Sequence, residues 1–548
     1  MCIRVCSLGV FVVLLAFLGC GLESDDQEKT SSQEVTTSAE IKRGGVYRLP
    51  LDIMPTNLDP AYIEDDFGIS VAYQVYDGLV QYGPYLNVLP AIARDWQIEK
   101  QGRVLRFHLR KEATFHDGEP VTARDAVFSL QRLFRINPAP SILSHLLYIA
   151  GSEEYRARET ETIRGLKTIS EHELEIELVE PYAPFLGALA MYQAAIVPEH
   201  IASTQGVKFS TSPVGSGPFK FTTWEQDKLI RLERYPSYYA GPTYLDAVEY
   251  HIYPGAQRSR VLNDFESGLL EEMPVFGQAR EILSKKENLH WVHRPSLSLL
   301  FYGLNTEHPL LRDSRLRRAL SLAINRNELL TEVYDNQFEA AYTVLPPGMP
   351  AHSREVQAVE EDLAEAKDLV SQVTGAGPSV PTPVKVEIVS ASQSAFAQAE
   401  FKFIHDQWAS IGIDTSIRYI TDWQEFETYL QSDSMQVFRY SWTADMPDPD
   451  NFLRPLFGSI SSVNFSGYSN KAVDALLMEA AATVDEVKRA GLYQSVERKV
   501  MEEYPIIPLF YLSIDRVYQS WVNGINSSPL GWQAVRLHRT WLDTASLQ

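Results

Sequence analysis

The chain has 548 residues, 45% hydrophobic and 22% charged, a globular mix long enough for about three or four domain-sized units. Its 49 lysines and arginines against 71 aspartates and glutamates leave a net charge of -22, a field that repels phosphates and argues against nucleic acid as a partner. The three cysteines, Cys2, Cys6 and Cys20, all lie at the N-terminus, so the rest of the chain has no means of forming an internal disulfide or a cysteine metal site, and neither a metal nor a cofactor is expected.

In chain order, the first feature is the apolar run Val10 to Leu18, flanked by Gly9 and Gly19. It is too short for a membrane span, which needs about 20 apolar residues, and has the form of a signal-peptide core, expected over 1–19. Phe17-Leu18-Gly19-Cys20 resembles the bacterial lipoprotein signal, which implies cleavage before Cys20 and acylation of it. The polar, acidic stretch that follows, Gly21 to Lys42, has too little apolar surface to fold. With Cys20 it reads as a tether over 20–43, reaching about 25 Å at ~5–6 Å times the square root of its length.

From Gly44 onward strands and helices interleave. Leu105, Phe107 and Leu109 alternate with Arg106, His108 and Arg110, a half-buried strand. Asp117-Gly118 predicts a turn, and Thr122 with Asp125 three residues on predicts a capped helix carrying Ala126, Leu130 and Leu133 on one face. Pro181 to Pro198 is nearly all apolar but broken by Pro184 and Gly187, which predicts a buried helix of about two or three turns and not a membrane span. Val248, Tyr250 and Ile252 predict another strand. Leu316, Ala319, Leu320, Ala323 and Ile324 predict a helix opened by Asp313 or Ser314. Gly375 to Pro383 predicts a loop. The class is α/β or α+β.

Catalytic signatures are missing. There is no G-x-x-x-x-G-K-[ST], G-x-S-x-G or H-E-x-x-H, and no cysteine nucleophile, so an enzyme is not expected. His116-Asp117 reads as a surface turn and not a dyad. Arg315, Arg317 and Arg318 read as a solvated face or as salt-bridge partners, and Glu360-Glu361-Asp362 as a solvated acidic run.

An ordered set of motifs carries a resemblance. Leu89-Pro90-Ala91-Ile92-Ala93-Arg94-Asp95-Trp96 leads into Phe107 to Lys111 and then Phe115 to Asp125. Pro213-Val214-Gly215-Ser216-Gly217-Pro218-Phe219 follows, then Glu233-Arg234, Tyr238-Tyr239, Asn305-Thr306 and Arg315 to Leu320. Last come Trp442-Thr443-Ala444-Asp445 and Pro447-Asp448-Pro449-Asp450-Asn451-Phe452. From about Gly44 to Leu542 the chain resembles family 5 of the extracellular solute-binding proteins of ABC importers, which includes oligopeptide- and dipeptide-binding members. The resemblance implies a two-lobed periplasmic-binding-protein fold of class II type, with an extra α/β domain inserted in lobe I. Carried onto this chain, lobe I is 44–82, 213–298 and 508–548, the inserted domain 83–212 and lobe II 299–507. Ligand is expected in the cleft, with the lobes closing over it.

An extended peptide offers a strand-like backbone, an ammonium and a carboxylate. By the resemblance, Asp445 meets the ammonium, and the backbone of Ser441, Trp442 and Thr443 pairs with the peptide. Trp423 lines a side-chain pocket, and Arg439 sits where a cation can meet a short peptide's carboxylate. Asp448 and Asp450 are read as turn and cap residues. Dipeptide-binding members place an arginine clamp where this chain has Ala391 and Ser392, which argues for longer peptides. Other solutes bound in the family, a nickel chelate, a sugar or an opine, stay open at this point, as does a sensor or chaperone role without transport. The expected partners are a permease and ATPases, with the membrane reached through a lipid anchor alone and the body a monomer facing the periplasm or cell exterior.

Overall fold

Four strands or helices foreseen from periodicity set the frame of the computed structural model. It describes residues 41–543 apart from 256, 276, 354–360 and 375–383. The expected signal segment, Cys20, the tether up to residue 40, the Gly375–Pro383 loop and Glu360 lie outside the described residues. Lys42 pairs with Asp543, so the folded body takes in Lys42.

The first sheet has four strands in the order Val46–Leu51, Ala247–Ile252, Leu229–Arg234 and Phe219–Glu225. Val248, Tyr250 and Ile252 are buried, as their alternation requires. Helix Asp66–Val75 packs on this sheet and shares its core with Tyr518, Val522 and Leu542 from the far end of the chain. Asp65 caps that helix by accepting the Gly68 N–H at 2.7 Å. The Pro213–Phe219 motif has a steric cause: a Cβ on Gly215 would lie 2.1 Å from the Val75 carbonyl oxygen, and the Gly217 N–H donates to that oxygen at 2.9 Å.

A second four-stranded sheet, Ala93–Glu99, Val104–Leu109, Glu173–Glu177 and Leu166–Ser170, is antiparallel throughout. The capping box at helix Ala123–Arg132 is complete, with Thr122 and Asp125 bonded in both directions. The apolar run Pro181 to Pro198 departs from expectation. Instead of a helix of two or three turns it makes two separate single turns, Phe185–Ala188 opened by Pro184 and Tyr192–Ala194, parted by Met191 in extended backbone. It is buried all the same, inside the core of this sheet. His116 also departs from expectation. His116 shares the turn with Asp117-Gly118 but does not lie on the surface: it is 4% exposed and accepts the Gly215 N–H at Nδ1, 3.3 Å away.

The largest sheet has seven strands. Its spine is a pair of long antiparallel strands, Leu289–Leu304 and Ile506–Gln519. The expected boundaries at 298/299 and 507/508 fall inside these two strands. At one end Glu272–Pro274 joins the pair. At the other, Val437–Thr443 pairs with Leu289–Leu304, followed by Val384–Ser390 and Ile413–Tyr419. Leu299 and Phe301 enter one core and Leu300, Tyr302 and Leu304 enter another, so this part of the sheet is covered on both faces. Helix Ser314–Leu322 is capped by Asp313. On it Arg315 pairs with Asp313 and Arg318 with Glu365, but Arg317 is buried and donates to the carbonyls of Leu311, Arg312, Glu503 and Tyr504. That position is a backbone brace and not a solvated face.

Candidate functional site

The register of Val437–Thr443 creates an open backbone edge. Ala444 N–H donates to the Leu297 carbonyl at 2.9 Å, and Trp442 and Tyr440 stand opposite Leu299 and Phe301. In an antiparallel ladder this alternation turns the backbone groups of Ser441 and Thr443 away from Leu289–Leu304. On that other side Val384–Ser390 reaches only Val437 and Phe438. Among the described residues no strand therefore covers the edge at Ser441 and Thr443, and both residues are exposed.

The edge ends in a fixed turn. Trp442 Nε1 donates to the Asn451 carbonyl at 2.8 Å, and the Asp445 N–H donates to Asn451 Oδ1 at 2.9 Å. Asp448 accepts the Asp450 N–H at 2.9 Å, and Asp450 opens helix Asp450–Phe457 while gripping Arg454 through both carboxylate oxygens. Asn451, quoted above only as part of the motif, thus holds Trp442 and Asp445 together.

The Asp445 side chain is reached by water yet walled by protein. Desolvation raises its pKa, a hydrogen bond from Ser141 opposes this, and the nearby Asp66 carboxylate raises it further. Tyr73, pushed up to about 12 chiefly by burial, and Tyr192 both feel its charge. Asp445 thus faces helix Asp66–Val75 and the Tyr192 turn across the chain's two halves, and it has no cationic partner among the described residues. Ser141, Asp66, Tyr73 and Tyr192 carry no sequence signal for this, since only the tertiary fold brings them to Asp445.

Trp423 begins helix Trp423–Leu430 and is 53% exposed, with its ring 5.8 Å from that of Tyr440 and 5.6 Å from that of Phe426. Phe465 lies 5.9 Å from Tyr440. This aromatic wall adjoins the open edge. Arg439 is placed differently: it is held by Glu400 through two hydrogen bonds of 2.8 and 3.0 Å. Ser392 sits in a tight serine turn with Ser390 and Ser394. Among the described residues no group of three histidine, cysteine, aspartate or glutamate side chains could hold a metal ion, and no helix is long and apolar enough to cross a membrane.

Two α/β lobes joined by a pair of long strands, with an added domain on the first and an open strand edge beside the junction, define a periplasmic-binding-protein fold. The chain belongs to the bacterial extracellular solute-binding proteins, family 5, whose middle-region model matches residues 87–463. It is 29% identical over 487 residues to the periplasmic oligopeptide-binding protein OppA of Escherichia coli (strain K12), covering 85% of this chain and 87% of that one. It is 28% identical over 464 residues to the probable di/tripeptide-binding protein 5 of Pseudomonas aeruginosa (strain UCBPP-PA14), covering 82% and 86%. Among solved structures, the ABC transporter-associated periplasmic binding protein DppA from Helicobacter pylori, in complex with the peptide STSA, superposes with a TM-score of 0.75 at 25% identity, covering 92% of this chain and 99% of that one.

Proposed function

We propose that this protein is the substrate-binding subunit of an ABC importer that captures peptides, longer than dipeptides, in the cleft between its lobes and delivers them to a membrane permease with its ATPases. The carrying observation is the uncovered edge at Ser441 and Thr443 running into Asp445, an aspartate with no cationic partner among the described residues. An extended peptide adds as a strand along that edge, its ammonium meets Asp445, and side chains alternate toward the Trp423 wall and away from it. The peptide-binding relatives support the ligand class, and the absence of an arginine at Ala391 and Ser392 supports the length. The body works as a monomer facing the periplasm or cell exterior, tied to the membrane only through lipid on Cys20. Titration calorimetry of the purified body with tri- to pentapeptides tests the reading. Saturable binding that weakens on N-acetylation of the peptide is expected; no binding of any free-amine peptide overturns it.

A further inference from the structure

Glu400 lies in helix Ala395–Ala409 and is fully buried. Four donors meet its two oxygens. Oε1 accepts from Arg439 Nε at 2.8 Å and from the Tyr302 hydroxyl at 2.9 Å. Oε2 accepts from Arg439 Nη2 at 3.0 Å and from the Tyr334 hydroxyl at 2.5 Å. The guanidinium is thus gripped in a two-pronged fork, the strongest geometry open to an arginine and a carboxylate, and its side chain is only 17% exposed.

The position of this pair gives it a meaning beyond packing. Along Val437–Thr443 every second residue shares a face, so Arg439 continues the row of Ser441 and Thr443. A peptide anchored by its ammonium at Asp445 and extended along the edge advances ~3.3 Å per residue. Asp445 and Arg439 lie six positions apart, so its carboxylate comes level with Arg439 after about six residues. A free guanidinium there would read that carboxylate and fix the ligand's length. Glu400 cancels the charge and occupies the fork.

We propose that Glu400 is a specificity-determining positioning residue, which by sequestering Arg439 makes the cleft blind to the carboxyl end of its ligand. The inference rests on the peptide-binding reading above. It assigns the substrate class as peptides recognised at their amino end, with the carboxyl end left unread: free, amidated or carried on a longer chain.

The test compares a hexapeptide with a free carboxylate against its C-terminal amide by titration calorimetry. The parent protein is expected to bind the two within about twofold of each other. Glu400→Gln keeps the shape, accepts from one tyrosine hydroxyl and donates its amide N–H to the other, and removes the charge that neutralises Arg439, so it is expected to favour the acid over the amide by tenfold or more. A parent that already prefers the acid tenfold, or a folded Glu400→Gln with an unchanged ratio, overturns the proposal. Should Glu400→Gln fail to fold, the paired variant Glu400→Gln/Arg439→Gln replaces both charges with amides. It is expected to bind acid and amide as the parent does, and a selective loss of acid binding overturns the proposal. If no peptide binds the parent, the peptide reading itself fails and this proposal falls with it. If peptides bind and only the acid-to-amide ratio is wrong, the peptide reading stands and this proposal alone falls.

Discussion

The Tyr182 hydroxyl lies 3.3 Å from Asp450 Oδ2, a residue 268 positions further along the chain. It carries one proton and Asp450, held by Arg454, is an acceptor, so Tyr182 donates to Asp450, and His145 Nδ1, 2.6 Å away, donates to Tyr182. The Ala183 N–H donates to the Ala481 carbonyl at 2.7 Å beside it. These bonds join the sheet domain of Val104–Leu109 to the helices that carry the Asp445 turn.

Tyr182→Phe keeps the ring stacked on Tyr148, whose centroid is 3.8 Å away, and removes the bond accepted from His145 along with the one to charged Asp450, the latter worth about 1–2 kcal/mol. Peptide affinity is expected to fall about five- to thirtyfold through a faster off-rate, read by surface plasmon resonance. Small-angle scattering should show a larger radius of gyration for the unliganded variant than for the unliganded parent. An unchanged off-rate would leave this bond no part in closure.

Asp445→Asn keeps the shape of the turn and removes the charge. Affinity for free-amine peptides is expected to fall by about 2–5 kcal/mol, much of it from an ammonium left buried and unpaired. N-acetylation should cost the parent far more than it costs the variant, and that cycle isolates the pair from general damage. Equal binding of free-amine peptides by parent and variant would reduce Asp445 to a turn residue.

The pH dependence of binding follows from the same carboxylate. Burial and Asp66 hold its pKa above the ordinary aspartate value. The ligand ammonium favours the ionised form, so affinity is full above that raised pKa and declines as pH falls through it, up to tenfold per unit. The decline should begin at a higher pH than an unperturbed aspartate, near ~3.9, would allow. Calorimetry across the acid range, with Asp445→Asn as the flat reference, checks the sign.

Glu497 offers a stability test away from the ligand. It is fully buried, accepts the N–H groups of Val344 and Leu345 at 2.7 and 2.8 Å, and leaves Oε2 without a partner. Burial pushes its pKa up to about 7. The folded state therefore holds a proton that the unfolded chain loses near ~4.3, and stability falls as pH rises from there to about 7, then levels. Glu497→Gln should match the parent at pH 5 and exceed it at pH 8 by about 3 kcal/mol in urea unfolding. Equal stability at pH 8 would show that the carboxylate is accommodated in its charged form.

Cys20→Ala tests the anchor. The variant is expected in the soluble fraction after cell lysis while the parent sediments with membrane, since Cys20 is the one residue proposed to carry lipid. Full membrane association of the variant would remove lipid from the account.

Periodicity made the strands at Leu105 and Val248 and the cap at Thr122 legible, because each is decided within a few neighbouring residues. The ordered motifs pointed to the Asp445 turn for a similar reason, since Trp442, Asp445 and Asn451 lie within ten positions. What stayed hidden depends on distant partners. Arg317 looks solvated until Glu503 and Tyr504 bring their carbonyls to it. His116 reads as a surface turn residue, and its burial shows only once Gly215 and Gly217 close over it. Glu400, among the alanines and phenylalanines of its helix, shows no sign of the tyrosines and arginine that surround it.

The paired strands Leu289–Leu304 and Ile506–Gln519 lose register between Pro295 and Leu299 and again between Leu300 and Phe301. Two ribbons lying side by side and slackened at the same level behave as a leaf spring: they flex about one axis across their width and resist torsion. Opening is then expected to trace a single arc, which one inter-lobe distance followed by spin-label measurement would describe. Lengthening one ribbon by a residue at this level would not widen the arc. It would tilt the axis, so that the lobes meet out of alignment and the open strand edge no longer faces the helix opposite.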